Sequence, residues 1–120
     1  MPVVLIVDDS PTEVHVIKAA LESEGYDILS AESGEVGVQI ARDKQPDLIL
    51  MDVVMPGLNG FQATRQLSRD PATADIPVIM VTTKNQKTDR IWGMRQGAVD
   101  YIVKPFSAAD LIEKTAAALA

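Results

Sequence analysis

Leu48-Ile49-Leu50-Met51 is a run of four apolar residues that stops at an aspartate, Asp52, and is followed by Met55-Pro56-Gly57 and Asn59-Gly60. A strand with no polar face must be covered on both sides, the condition met in a parallel sheet packed between helices. The Pro-Gly and Asn-Gly pairs impose a turn before the next helix. In open α/β sheets ligands sit outside the carboxyl ends of the strands, so Asp52 stands where chemistry is usually done. Taken alone it reads most simply as a turn residue. Two further acids and a lysine at matching places change that reading.

The same punctuation recurs along the chain. Met1 to Val7 reads as a buried strand ending at Asp8-Asp9, and Ser10-Pro11-Thr12-Glu13 as a capping box with proline at the first helical position. Val14, Ile17, Ala20 and Leu21 follow at helical spacing, and Gly25 closes the helix. Tyr26 to Ala31 is a second strand. Ser33 caps a helix whose inner face carries Val36, Ile40 and Ala41, and Pro46 ends that connection. Asn59 with Gln62 caps a third helix that buries Phe61 and Leu67, and Pro71 to Ile76 is a loop. Pro77 to Val81 is a fourth strand, ending at Thr82-Thr83-Lys84; Thr88 caps a helix through Gln96, stopped by Gly97. Asp100 to Val103 is a fifth strand, Lys104-Pro105 follows it, and Ser107 caps a last helix carrying Leu111, Ile112 and Leu119.

Strand and helix thus alternate five times with short connections. That predicts an α/β fold: one doubly wound, five-stranded parallel sheet in the flavodoxin-like order 2-1-3-4-5, with helices on both faces and the switch point between the first and third strands. The strands flanking that crevice are the ones ending in Asp8-Asp9 and in Asp52. A chain of 120 residues makes one domain with a sizeable core.

Three carboxylates at one crevice repel one another, and without a counter-ion at least one takes up a proton. An all-oxygen set of this kind suits Mg²⁺, with Mn²⁺ as a substitute. Lys104 brings an ammonium from the end of the fifth strand and Thr82 a hydroxyl from the end of the fourth. A carboxylate nucleophile, a metal, a lysine and a hydroxyl are the parts that phosphoryl transfer to aspartate requires. Composition narrows the field further. A net charge of −6, from 17 acidic and 11 basic residues, repels phosphate backbones and argues against a nucleic-acid partner. The absence of cysteine excludes thiolate metal sites and disulfides. No leader and no apolar run of membrane-spanning length is present, which predicts a cytoplasmic protein with no membrane partner.

Hydrophobic-Asp8-Asp9, Asp52-x-x-Met55-Pro56-x-x-x-Gly60, Thr82 after an apolar strand and Lys104-Pro105 together resemble a response-regulator receiver domain of two-component signalling, of the CheY-like kind, over the whole chain. The resemblance implies Asp52 as phospho-acceptor and Asp8 and Asp9 as Mg²⁺ ligands, Asp8 mostly through water. It implies the backbone carbonyl of Val54 as a further ligand, and Thr82 with Lys104 as the phosphoryl-binding pair. It also implies a cis Lys104-Pro105 bond and Tyr101 as an aromatic switch residue. Trp92, Met94 and Arg90 fall on the helix bordering the surface such a switch remodels, and are expected as partner contacts; His15 is expected on the surface.

Residues 81–86 and 88–98, with 8–13 and 57–67, carry a narrower resemblance to stand-alone receivers of type IV pilus twitching motility. This implies a phosphohistidine donor on a hybrid histidine kinase of the CheA-like type. The expectation is then a single receiver domain spanning residues 1–120 without an output domain, signalling through protein contacts and turning over no external metabolite. Alternatives are a phosphate sink for a sister regulator, or an aspartyl-phosphate phosphohydrolase; the latter would carry two aspartates two apart on its first strand and a cap. Two positions depart from the family's habit: Val54 is apolar where many receivers are polar, and Thr83 is larger than the usual Ala or Gly.

Overall fold

The apolar runs pair side by side. In the computed structural model, which describes residues Met1–Ala120, five strands alternate with five helices. They run β1 (Val3–Val7), α1 (Pro11–Glu22), β2 (Asp27–Ala31), α2 (Gly34–Lys44), β3 (Leu48–Met51), α3 (Gly60–Arg69), β4 (Val78–Thr82), α4 (Lys87–Gln96), β5 (Asp100–Val103) and α5 (Ala108–Leu119). All strand pairs are parallel and the order is β2-β1-β3-β4-β5, as the alternation predicts.

Because side chains alternate across a strand, each buried run feeds two cores. Leu5, Val7, Ile49, Met51, Val78 and Met80 pack with Val38 and Ala41 of α2 and Ala63 and Leu67 of α3. Val4, Ile6, Leu48, Leu50, Ile79 and Val81 pack on the other face with Ile17 and Leu21 of α1 and Leu111 of α5. Each fully buried Leu or Ile here contributes about 1.5–3 kcal/mol of transfer free energy. No helix is long and apolar enough to cross a membrane.

Register positions the site. Val7 is level with Met51, so Asp8 and Asp52 leave the sheet side by side, and the Asp52 N–H donates to Val7 O at 2.9 Å. Thr82 is level with Val103, so Lys104 follows directly, its N–H donating to Thr82 O at 2.8 Å. The Lys104-Pro105 bond is cis.

Three local expectations are corrected. Val36 is not on the inner face of α2: it is 48% exposed, while Gly34, Gly37, Val38 and Ala41 are buried. The two glycines decide this, because a Cβ on Gly37 would fall 2.8 Å from Val7 Cγ2 and one on Gly34 2.4 Å from Leu58 O. The helix lies closest to the body along their edge, which turns Val36 outward. The capping box at Ser10 is half made: Ser10 Oγ accepts from Glu13 N, but the Ser10 N–H donates to Asp8 Oδ1 at 2.9 Å instead of to Glu13. Helix α4 begins at Lys87, with Gln86 as its cap and Asp89 Oδ2 accepting from Gln86 N at 3.2 Å, so Thr88 lies within its first turn. The full box at Asn59 and Gln62 is present, and Gly25 and Gly97 take the left-handed conformation expected of helix stops.

The turn after Asp52 is folded tightly on itself. The Gly60 N–H donates to Val53 O at 3.0 Å, and a Cβ on Gly60 would lie 2.1 Å from Asp52 O and 2.7 Å from Val53 Cα. Backbone cannot step aside as a side chain can, so Gly60→Ala is expected to lower stability by about 1–3 kcal/mol or more. A urea unfolding curve checks this: the midpoint falls while the slope is unchanged.

Candidate functional site

Four strand ends meet at one edge of the sheet. Asp8 follows β1, Asp52 follows β3, Thr82 ends β4 and Lys104 follows β5. Asp8 and Asp52 are buried (2% and 8% exposed), Thr82 is fully buried, and Asp9 is exposed. Carboxylate oxygens of Asp8, Asp9 and Asp52 lie within 4.8 Å of one another. The Lys104 ammonium donates to Asp8 Oδ2 at 2.7 Å and stands 3.7 Å from Asp52 Oδ2.

Sequence reasoning gave Glu13 only a capping role, and its carboxylate is also 3.8 Å from Lys104 Nζ. Its place one turn into the helix that starts at the crevice was the signal that could have found it. Three carboxylates, those of Asp8, Asp52 and Glu13, therefore face one ammonium, with Asp9 beside the first two.

The charges set the protonation states. Burial raises the Asp52 pKa above the ordinary carboxylate value of 3.8, and the Asp8 charge adds to this; Lys104, the Thr82 hydroxyl and the Val54 N–H oppose the rise without cancelling it. For Lys104, burial works against the charged form, but the Asp8 hydrogen bond and the charges of Asp52, Asp8 and Glu13 outweigh it. Its pKa ends above the usual lysine value, and the ammonium stays protonated.

One lysine does not neutralise this cluster. The donor set is carboxylate oxygen, partly buried and partly open to water through Asp9, and it fits a hard dication with oxygen ligands and retained waters. Asp8, Asp9 and Asp52 are the side chains able to hold it. Val54, two residues beyond Asp52, lies in the same turn; its N–H is 3.4 Å from Asp52 Oδ1 and its side chain is 53% exposed.

The remaining expected residues lie on the β4–α4–β5 side. Tyr101 is 3% exposed, and its hydroxyl donates to Lys84 O at 2.8 Å. Burial, with the Asp89 and Asp52 charges, pushes its pKa up to about 12. Trp92 and Met94 are exposed, and Arg90 reaches Asp100 at 3.8 Å. At 3.6 residues per turn Arg90 and Met94 stack one above the other while Trp92 stands about 160° away round the helix, so the three do not make one patch. His15 is exposed.

A parallel sheet in the order 2-1-3-4-5 with acids at its switch point defines a class, and the chain belongs to the response regulator receiver domain family, which matches residues 4–116. Within it, the chain is 57% identical to Protein PilH of Pseudomonas aeruginosa over 117 residues, covering 98% of this chain and 97% of that protein. It is 43% identical over 116 residues to the phosphate regulon transcriptional regulatory protein PhoB of the same organism, 97% of this chain but about half (51%) of PhoB. Among solved structures, chemotaxis protein CheY4 of Vibrio cholerae superposes with a TM-score of 0.93 at 28% identity, covering 99% of both chains. The receiver domain of a Pseudomonas aeruginosa sensor histidine kinase superposes at 0.91 with 32% identity, over 98% of this chain and 97% of that one. That structure is described as holding a magnesium ion in its active-site cleft.

The raised Asp52 pKa fixes a sign. A folded state that takes up this proton more readily than the unfolded chain is penalised at pH values above the raised pKa, and the penalty disappears as pH falls through it toward 3.8. In the presence of a chelator, Asp52→Asn should therefore be more stable than wild type at pH 7. Thermal unfolding across pH checks it: the gap should close as the pH approaches about 4, and a gap that widens on acidification contradicts the electrostatic account.

Proposed function

We propose that this receiver domain is a Mg²⁺-dependent switch phosphorylated on Asp52 by a histidine kinase, and that it signals by binding protein partners. The observation that carries the reading is the shared pocket of Asp8, Asp9 and Asp52 with Lys104 beside it. In the reaction, an Asp52 carboxylate oxygen attacks the phosphorus of a phosphohistidine. The new P–O bond forms as the P–N bond breaks, and the histidine nitrogen regains a proton from water. Mg²⁺, or Mn²⁺, held by Asp8, Asp9, Asp52 and the Val54 carbonyl, would supply the positive charge that the phosphoryl oxygens need. Lys104 has an ammonium 3.7 Å from Asp52, within reach of a phosphoryl oxygen once one is attached there. Thr82 offers a hydroxyl to another. Positioning and charge neutralisation are most of what phosphoryl transfer asks of a protein.

The Tyr101 hydroxyl holds the Lys84 carbonyl, two residues after Thr82. A shift of Thr82 toward a phosphoryl group would pull on this same loop, so Tyr101 fits the role of a two-state element biased by the new charge. The receiver domain matches PilH along 97% of that protein's length. The resemblance in residues 81–98 supports a role in type IV pilus twitching motility, with a CheA-like hybrid kinase as donor. Turnover is confined to phosphorylation and hydrolysis at Asp52 itself.

Incubation with acetyl phosphate and Mg²⁺, read by intact mass, tests this. One phosphoryl adduct is expected on wild type, none on Asp52→Ala and none after chelation; an adduct surviving in Asp52→Ala overturns the assignment. A second measurement concerns lifetime. The exposed Val54 side chain has no polar atom with which to orient an attacking water, so Val54→Asn should hasten phosphate loss from the phosphorylated protein. An unchanged or slower rate would remove residue 54 from the account.

A further inference from the structure

Two of the five arginines have carboxylate partners: Arg42 on Asp70 at 2.7 Å and Arg90 on Asp100 at 3.8 Å. The other three, Arg65, Arg69 and Arg95, form no ion pair, and all three line one cleft of about 360 Å³ between the C-terminal turns of α3 and α4. Ser68, Gln96 and Gly97 complete its wall, with no apolar side chain. In a chain with 17 acids to 11 bases, the arginines left without a carboxylate are gathered in one place.

Folding accounts for part of this. Arg69 and Arg95 stand in the last turns of their helices, where a cation offsets the free carbonyls. Arg65 is different: it lies one turn before Arg69 on the same face, a like-charge i, i+4 pair that works against the helix. That local conflict has no return in the folded chain by itself.

The framework under the arginines is fixed. Ser68 Oγ lies 2.7 Å from Thr64 O and 2.6 Å from Gln96 O, so its proton bridges the end of α3 to the end of α4. Gly97, at φ +116°, approaches so closely that a Cβ would fall 2.1 Å from Ser68 Oγ. Helices antiparallel to the strands end at the opposite edge of the sheet from Asp52, so the cleft is separate from the phosphorylation site.

The wall has no apolar side chain to offer an apolar ligand. Exposed guanidiniums gain little from one small anion in water, so useful affinity requires several carboxylates on one backbone, each taken by a planar guanidinium fork. Arg65 and Arg69 emerge about 6 Å apart along their helix, close to the roughly 6.6 Å between alternate side chains of an extended chain. We infer that this cleft docks an extended acidic segment of a protein partner, with carboxylates two residues apart on Arg65 and Arg69 and a further one on Arg95.

The test is a titration of the ¹⁵N-labelled protein with a seven-residue peptide of alternating glutamate and serine, against the same peptide with glutamine for glutamate. The acidic peptide should shift the amides of residues 65–69 and 95–97. Its affinity should fall with added salt, and drop roughly tenfold or more in the Arg65→Gln, Arg69→Gln, Arg95→Gln triple variant. The unfolding midpoint of the single Arg65→Gln variant should stay level or rise, because the like-charge pair is gone. Shifts elsewhere or none, equal binding by the glutamine peptide, or undiminished affinity in the triple variant would overturn the inference. So would a fallen midpoint in Arg65→Gln, which makes that arginine structural. Inorganic pyrophosphate shifting the same amides at lower concentration than the peptide would assign the cleft to phosphate and overturn it equally.

Discussion

One lysine holds the functional edge of this molecule together. The Lys104 ammonium lies among Asp8, Asp52 and Glu13 at the rim of two apolar cores, with its side chain only 9% exposed. Removing such charges from water is costly, and a buried ion pair is weak evidence of stabilisation for its own sake. A set of strand ends designed only for stability would be apolar or capped. Here the acids outnumber the cation, and burial with the Asp8 charge raises the Asp52 pKa above the ordinary carboxylate value. The strain is electrostatic and local, and the rest of the sheet, whose central strands are buried on both faces, is rigid enough to sustain it.

That rigidity has a boundary. Of the residues of α4 only Gly93 is buried, and it is buried because it has no side chain: a Cβ there would come within 3.3 Å of Met80 Cγ and Tyr101 Cε2. The helix rests on the Tyr101 ring through a bare backbone contact, while Ile91, Trp92 and Met94 remain outside. An element with so few buried apolar contacts is the one best able to change place at low cost. It follows the loop carrying Lys84, whose carbonyl accepts from the Tyr101 hydroxyl. Tyr101 thus touches both α4, through its ring beside Gly93, and the loop after Thr82, through its hydroxyl on Lys84 O.

Much of this could be read before any coordinates. The strand ends at Asp8, Asp52, Thr82 and Lys104 were legible because both-face burial leaves unmistakable apolar runs and the turn residues mark where each run stops. The failures have separate causes. Val36 has the right chemistry for a core face, but Gly34 and Gly37 let the helix approach the sheet along their own edge, and a hydrophobic pattern registers side chains, not their absence. Thr88 looks like a better cap than Gln86, yet the helix starts where Asp89 can reach back to the Gln86 N–H. Glu13 was credited to its nearest neighbours because its true partner is 91 residues away (104 − 13).

The sequence by itself determined the order of elements, the parallel sheet and which residues end each strand, since these follow from periodicity and turn chemistry within a few residues. Tertiary structure alone decided which carboxylate receives Lys104 across a separation of 96 residues, how far Asp52 resists ionisation, and that three unpaired arginines share a cleft. Those are properties of distances between side chains on different elements and of the water excluded between them. Neither quantity exists until the sheet has closed.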